Sequence, residues 1–500
     1  MPAGSRLKWA DFLDLRVEAD SSIPLFRKVY LCLRHAIVTH AVSAGSRLPS
    51  TRELATKLGV SRTSVLAAYD QLLAEGYVEG KAGSGTYVSR DLPEPVVTLG
   101  PDAEAAANAA AEVRRRLSNY GAACRQYVPA KVSLETIPFI TGRTSVDLQT
   151  TEAWRAISSR KLRRADLIDY GYSDPFGLPA LRREIAEYLR AARAVRCEPE
   201  QILIVSGAQQ AIDLSLRVLL NPGDAAWIED PCYPATRAAL QVLGAKLVPV
   251  PVDESGIVVS KGIEDGPDAR LAYVTPSHQY PTGAAMSMSR RLELLAWARS
   301  RGAWIIEDDY DSEFRYAGRP LASLQGLLQN ECVIYVGTLS KVLFPGIRVG
   351  FAVVPRDLMD AFAGARFLAD RHPSTLQQAV VADFLREGFL TSHIRRMRQR
   401  YREARDFTVD VLSNCLGRHA ELETPDCGMQ LVTYFGAGLS DLAVAEAAQR
   451  HGVVVRPVSP MYLAAPPRSG LLLGFTGFGL PSLQIAAERL SQAMSRTAPR

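Results

Sequence analysis

The sequence predicts an α/β protein in two units: a small helical unit at the N-terminus and a large unit in which strands and helices alternate. Three observations carry this. Five hundred residues exceed what a single core ordinarily organises, so two or more domains are expected. Over the first 90 residues, an amphipathic helix, two capped helices and a Gly-rich hairpin follow one another in order. From about residue 144 onward, short runs rich in β-branched residues alternate with helical patterns, as in a sheet covered by helices. Composition is that of a globular protein, 47% hydrophobic and 22% charged, with no apolar run long enough to span a bilayer. The opening MPAGSRLKWADFLDL lacks the apolar core of a secretory signal. Seven cysteines are dispersed without metal-ligand spacing, which fits a reducing, cytoplasmic setting rather than a disulfide framework. A net charge of +5 is too small for the whole chain to bind polyanions, so a nucleic-acid contact needs a local basic surface.

Residues 1–90 are expected to form one unit. Ile23–Thr39 places Leu25, Val29, Cys32, Leu33, Ala36 and Ile37 at helical spacing. Ser50 and Glu53 form a capping box for a short helix ending at Gly59. Ser61 caps the next helix, Arg62–Glu75, with Val65, Leu66, Tyr69, Leu72 and Leu73 as its apolar face. Two helices across a Gly-Val-Ser turn make a helix-turn-helix, and Tyr77–Val88 supplies two strands around a Gly-rich turn, a wing. The N-terminal end of the second helix of such a pair enters the major groove of double-stranded DNA. Ser61, Arg62, Thr63 and Ser64 stand there, with Arg52 and the wing residues Lys81 and Gly83–Gly85 beside them. A small helical domain that binds protein is the alternative. The ordered caps, turn, basic face and wing favour DNA.

Residues 91–143 open with DLPEPVV, continue as an Ala-rich tract with one helix expected at 102–118, and close with Pro129 and Pro138. They read as a linker without catalytic residues.

In the large unit, residues 144–500, attention falls on GTLSKVLFPGIRVGF, Gly337–Phe351. Lys341 lies between the apolar runs Cys332–Val336 and Val349–Val354, which read as buried strands. An amine held at a strand end in an interior loses hydration as an ammonium, so it becomes a usable nucleophile toward an aldehyde. Thr338 and Arg348 flank it, a set that suits an aldehyde carrying a phosphate, such as pyridoxal 5′-phosphate. A surface lysine in a loop is the ordinary alternative, so other parts of a cofactor site have to be found. Gly207, Ala208 and Gln209 follow the strand Ile202–Val205 and open a helix whose free amides suit a phosphate. Tyr233 follows Ala226–Ile228 and could stack on a flat heterocycle. His278, in TPSHQYPTG, reads as a structural or ring-contact group rather than a general base. EDDYDSEF, Glu307–Phe314, delivers carboxylates after a buried strand. Asp308 is assigned to a pyridinium nitrogen and Tyr310 to the ring's phenolic oxygen. A metal site built on Glu307, Asp308, Asp309 and Asp311 is the competing reading; it lacks His or Cys partners and a calcium-loop Gly, so no metal is assigned.

The first unit resembles the winged helix-turn-helix domain of the GntR family in PSTRELA, GVSRTSV and GSGTYV. The large unit resembles fold-type I aminotransferases in TPSHQYPTG, EDDYDSEF and GTLSKVLFPGIRVGF, and the domain order is similar to that of the MocR/GabR transcription regulators. The resemblance implies an N-terminal winged helix-turn-helix plus a C-terminal fold-type I PLP-dependent aminotransferase-like domain. It makes Lys341 the Schiff-base lysine, Asp308 the partner of the ring nitrogen, Tyr310 the tyrosine at the ring oxygen and Tyr233 the stacking ring, with Thr338 and Arg348 as phosphate or ligand contacts. It further implies a homodimer with cofactor sites at the subunit interface and an effector that is a small amine, an amino acid or a B6 compound.

One departure concerns the late strand in which aminotransferases carry a carboxylate-clamping arginine. Here Ser469–Phe475 offers leucines, and Arg456 in VVVRPVSP is the candidate substitute. Sensing is therefore favoured over transamination, with an active aminotransferase bearing an accessory DNA-binding unit as the alternative. Arg395, Arg398, Arg402 and Arg405 share one face of a predicted helix, expected as a solvated face paired with nearby acids, with a second DNA-touching surface as the sharper alternative.

Overall fold

The computed structural model describes residues 23–81, 84–92, 116–127, 137–164, 171–318, 321–327, 331–417, 420–436 and 438–497. The chain divides into two compact units between Arg116 and Leu117. Residues 117–127 and 137–143, expected as linker, thus belong with the second unit. Of the helix expected at 102–118, residues 102–115 lie outside the described residues, as does Gly83 of the wing. Among the described residues no helix is long and apolar enough to cross a membrane.

The first unit consists of α1 (Leu25–Val38), α2 (Thr51–Leu58), α3 (Arg62–Ala74) and the hairpin β1 (Val78–Lys81) and β2 (Gly85–Val88). Ser50 accepts from Glu53 N at 3.2 Å and Glu53 Oε2 accepts from Ser50 N at 2.8 Å, so the capping box read in the sequence is formed. Gly59 ends α2 in the left-handed conformation, φ +64°. The core comprises Val29, Leu33, Ile37, Leu54, Val65, Ala68, Tyr69, Leu72 and Val88 with their neighbours. Leu66 and Leu73, expected on the apolar face of α3, are about half exposed, because that face turns on Val65, Ala68, Tyr69 and Leu72.

The second unit is built on two sheets. The large one has the order β3-β10-β9-β8-β7-β4-β5-β6, from β3 (Ile202–Val205), β4 (Ala225–Asp230), β5 (Lys246–Asp253), β6 (Gly256–Ile257), β7 (Leu271–Val274), β8 (Trp304–Asp309), β9 (Val333–Thr338) and β10 (Gly350–Val353). β5, β4, β7, β8 and β9 run parallel, while β10 lies antiparallel between β9 and β3. These strands read as continuous apolar runs because both faces are covered by side-chain cores. The smaller sheet, order β11-β12-β14-β13, is antiparallel. It contains β11 (Ala420–Leu422), β12 (Gln430–Phe435), β13 (Arg456–Pro457) and β14 (Gly470–Gly474), and packs on the helices Phe389–Leu416 and Leu480–Thr497.

Candidate functional site

Carboxyl ends of parallel strands, where neighbouring connections diverge, form crevices. Here the ends of β3, β4, β7, β8 and β9 converge on a cavity of about 260 Å³. It brings together Gly207, Ala208, Gln209, Tyr233, Asp308, Tyr310, Thr338, Lys341 and Arg348, residues drawn from separate segments of the sequence. His278 is not among the lining residues; it stands directly behind Tyr310, with Tyr310 Oη 3.1 Å from its Nδ1.

At the end of β3 the chain turns through Gly207, φ +137°, into the helix Ala208–Leu219. The backbone angle there disfavours any side chain, and the Arg348 guanidinium lies in contact, 3.4 Å from where a Cβ would stand. The first amides of the helix have no intrahelical acceptor, and with a basic group beside them they form an anion-binding corner. Arg348 itself is left-handed, φ +46°, ψ 48°, a conformation that costs a non-glycine residue about 1–2 kcal/mol. Gly350 permits the approach behind it, since a Cβ there would stand 2.7 Å from Gly207 Cα.

Lys341 follows β9 in a loop whose Leu339, Val342 and Leu343 are buried. Burial pushes its ammonium below the ordinary lysine value; Asp311 and Asp308 oppose that shift, and Arg456 adds to it. Gly142, φ +80°, presses on the amine so closely that a Cβ would lie 2.4 Å from Nζ. Thr141 and Gly142 line the cavity, so the stretch read as an uneventful linker supplies part of its wall.

The carboxylates of EDDYDSEF diverge. Along β8, Asp308 faces the cavity, whereas Glu307 and Asp309 project from the opposite face, as strand alternation requires. Glu307 accepts the amides of Leu324 and Gln325 at 2.8 and 2.9 Å. Asp309 accepts from Arg193 and Tyr335, each at 2.6 Å. Asp311 pairs with His278 Nδ1 at 2.9 Å. Among the described residues no group of three or more such ligands is placed to share a metal ion. Asp308 is the one that faces the cavity with an oxygen to spare: Oδ2 accepts from Tyr273 Oη at 2.6 Å and Oδ1 is buried without a partner. Burial pushes its carboxyl up to about 7, and the Tyr273 hydrogen bond works against that rise.

The expected stacking residue Tyr233 is the N-cap of the helix Pro234–Leu243, and its ring meets Tyr280 edge-on at 5.1 Å. Arg456 also lines the cavity; on β13 it stands opposite Leu472 of β14. Burial pushes the Tyr280 hydroxyl up, and the Arg456 guanidinium beside it works the other way. Sequence reasoning missed Thr141, Gly142, Tyr273 and Tyr280 as wall residues, since only tertiary folding brings them here.

In the first unit, Arg52, Ser61, Arg62 and Thr63 are exposed and Ser64 is half-buried. Ser61 Oγ accepts from Ser64 N at 3.1 Å, leaving the first turn of α3 open beside Arg62. Gly85, φ +115°, opens the second wing strand, and a Cβ there would lie 2.9 Å from Arg47 Nε. Arg47, distant in sequence from the wing, thereby joins its basic surface. In the second unit, Arg395, Arg398, Arg400 and Arg402 of the arginine-rich helix Phe389–Leu416 are exposed, as expected of a solvated face, while several guanidinium groups of the helix also bond within the unit. Arg396 pairs with Asp147, while Arg398, Arg402 and Arg405 donate to the carbonyls of Glu313, Tyr316 and Pro425.

Residues 25–88 match the family of bacterial regulatory proteins designated gntR, and residues 144–471 match aminotransferase class I and II. The chain is 39% identical over 480 residues to a probable rhizopine catabolism regulatory protein, MocR, of Rhizobium meliloti, covering 96% of this chain and 95% of the relative. It is 32% identical over 465 residues to the HTH-type pyridoxine biosynthesis transcriptional regulator PdxR of Corynebacterium glutamicum, covering 93% and 94%. Among solved structures, an archaeal alanine:glyoxylate aminotransferase superposes with a TM-score of 0.68 at 28% identity, over 76% of this chain and 96% of that one. The α-aminoadipate aminotransferase LysN of Thermus thermophilus, complexed with N-(5′-phosphopyridoxyl)-L-leucine, gives 0.67 at 28% identity, over 79% and 98%. A gntR-type helix-turn-helix unit joined to a class I and II aminotransferase unit, matched over nearly its whole length by such regulators, makes this chain a member of the MocR/GabR family of transcriptional regulators.

Proposed function

We propose that this protein is a cytoplasmic, homodimeric transcription regulator that reads double-stranded operator DNA and is controlled by pyridoxal 5′-phosphate held at Lys341, with a small amine, an amino acid or the cofactor itself as the signal. The observation that carries the reading is the pairing, in one cavity, of a lysine with a lowered affinity for protons and a buried aspartate with an unpartnered oxygen. The residues fit the group. Asp308 Oδ1 lacks the N–H that a pyridine ring carries when protonated, and the corner of Gly207, Ala208, Gln209 and Arg348 suits an anion of phosphate size. When bound, the cofactor supplies an aldehyde that amines can compete for and a ring that accepts electrons.

The chain's own part is to bind and orient. Lys341 presents a nucleophilic amine, Asp308 holds a proton at the ring nitrogen, Tyr310 meets the ring oxygen and Tyr233 covers one face. Thr338 and Arg348 take the phosphate side with the first amides after Gly207. Among the described residues, Arg456 is the one cationic side chain lining the cavity apart from Lys341 and Arg348, so an effector carboxylate is directed there. In the first unit Arg52, Ser61, Arg62, Thr63, Ser64 and Gly85 form the DNA-reading set. The DNA-reading assignment rests on residues 1–90 and the cofactor assignment on residues 144–500 together with Thr141 and Gly142, which belong with the second unit.

Turnover as an aminotransferase is the second reading, favoured by the complete cavity. The leucines of β14 where a carboxylate clamp would stand weigh against it. Mobility-shift titration of the full-length protein against its own upstream DNA, with and without pyridoxal phosphate and candidate amines, tests the proposal. Affinity that changes with ligand supports it. Absence of sequence-dependent binding in every ligand state overturns it. Repeated fast turnover with an ordinary amino acid would favour the enzyme.

A further inference from the structure

At the cavity wall a hydrogen-bonded cluster joins Tyr310, Asp311 and Met429, which line the cavity, to the buried His278, which does not. His278 Nδ1 is 2.9 Å from Asp311 Oδ1 and 3.1 Å from the Tyr310 hydroxyl, so both groups address one nitrogen. Asp311 Oδ2 accepts from Met429 N at 3.2 Å. Met429 immediately precedes β12, the strand through which the small sheet begins its main pairing. Gly428, φ +88°, closes over the pair so tightly that a Cβ would lie 2.1 Å from His278 Cε1 and 2.9 Å from Asp311 Oδ2. Its carbonyl is held from the far side by Tyr316 Oη at 2.6 Å.

Proton placement follows from the partners. Asp311 Oδ2 is taken by the Met429 amide and Oδ1 is left to face Nδ1 as an acceptor, so the tautomer assigned to His278 carries its proton on Nδ1. A nitrogen that carries its proton cannot accept another from Tyr310. The Tyr310 oxygen therefore receives the weaker half of a shared N–H, and its own O–H is released toward the cavity that Tyr310 lines. We infer that His278 and Asp311 are positioning residues that fix the Tyr310 hydroxyl as a hydrogen-bond donor into the cavity and tie that donor to the first residues of the small sheet. This rests on the cofactor reading above and adds to it a set direction for one proton. Other groups that bear on Tyr310 or on the amine it faces are Asp308 on β8, Tyr280 and Cys427 from the flanking loops, Lys341 after β9 and Arg456 on β13.

The test is the pH midpoint of the visible absorption of full-length protein loaded with pyridoxal phosphate. A donor to the ring oxygen stabilises its more negative, deprotonated form, so losing the donor raises the midpoint. Tyr310→Phe is expected to raise it by roughly one pH unit, equivalent to one ordinary hydrogen bond. His278→Ala is expected to move it in the same direction by at least about half as much, and His278→Asn, whose amide N–H can replace Nδ1–H, to return it close to wild type. His278→Phe, which leaves the charges around the amine in place and offers Tyr310 no N–H, serves as a second variant should His278→Ala not fold, with the same upward shift expected; Asp311 itself is left intact because its charge also bears on the Lys341 amine. A wild-type midpoint in His278→Ala or His278→Phe while Tyr310→Phe shifts overturns the positioning role and leaves the cofactor reading intact. Equal midpoints in all variants remove Tyr310 as the donor and overturn it too. Absence of any visible band in the wild type defeats the cofactor reading itself.

Discussion

Tyr273 donates its hydroxyl to Asp308 Oδ2 at 2.6 Å in a buried site, while Oδ1 of the same carboxylate has no partner. A half-satisfied buried acid is costly, and the cost is removed by whatever brings a donor to the second oxygen. The relationship has a pH signature. With its carboxyl pushed up to about 7 by burial, Asp308 retains a proton in the folded chain that an unfolded chain releases above about 4. Its stabilising contribution is complete below that lower value and is lost as pH rises toward 7. Asp308→Asn, uncharged throughout, is expected to gain on the ligand-free wild type between pH 5 and 8, by on the order of 1–3 kcal/mol or a few degrees of Tm. Pyridoxal phosphate should reverse the order, because it supplies the missing donor. Thermal unfolding at both pH values, with and without cofactor, checks this; an equal gain at pH 5 and 8 would contradict it.

Arg456 stands opposite Leu472 and faces the cavity, the position from which it can take an effector carboxylate in place of the absent β14 arginine. Arg456→Gln is expected to weaken the spectral response to an amino acid by roughly 10–100-fold, the loss of a charge-assisted hydrogen bond, while sparing the response to the corresponding decarboxylated amine. Parallel titrations with the two ligands measure it. Equal loss for both would show that the arginine does not discriminate by carboxylate.

Gly142 combines a left-handed backbone with close packing against the Lys341 amine, 2.4 Å from the position of an added Cβ. Gly142→Ala is expected to reduce cofactor affinity by at least about tenfold through the displaced Nζ, and separately to cost about 1 kcal/mol of stability through backbone strain. The unfolding transition of the ligand-free protein should fall by a few degrees at most, the size of that strain, and its DNA affinity should remain close to wild type. Undiminished cofactor binding would mean that the amine does not need the place where it is found.

On the DNA side, Arg62 stands exposed at the first turn of α3 beside the Ser61 cap. Arg62→Ala is expected to lower the slope of log affinity against log salt by about 0.9 for each phosphate the guanidinium neutralises. Arg398→Ala in the second unit should leave that slope unchanged, since its guanidinium already serves the Glu313 carbonyl. A slope altered only by the second substitution would relocate the DNA-binding surface.

Legibility in the sequence followed the range of the interactions. Caps and turns are local, so Ser50, Glu53, Gly59 and Ser61 announced α2 and α3 directly. Buried strands such as Ile202–Val205 and Leu271–Val274 were legible as apolar runs, and the residues just past their ends were therefore legible as candidate site groups. What the sequence withheld depends on meetings between distant segments. Tyr273 lies within its strand, with nothing to show that its hydroxyl reaches Asp308 on the neighbouring one. Thr141 and Gly142 sit in a stretch whose prolines suggest only a linker, and their place at Lys341 follows from Phe139 bridging to Gly474. The arginines of HIRRMRQRYREARD were legible as a solvent-facing band, and Arg395, Arg398, Arg400 and Arg402 are exposed; composition could not show that main-chain carbonyls of Glu313, Tyr316 and Pro425 await three of the arginines.

Everything proposed for the cavity depends on one amine, Lys341, as the holder of pyridoxal phosphate. The most direct test is to load the full-length protein with pyridoxal phosphate, reduce with borohydride and locate the added mass by peptide mass spectrometry. The expected result is a single modification at Lys341, accompanied by a visible band that Lys341→Ala abolishes together with the effect of ligand on DNA binding. Label on another lysine, or an unchanged band and ligand response in Lys341→Ala, would contradict it.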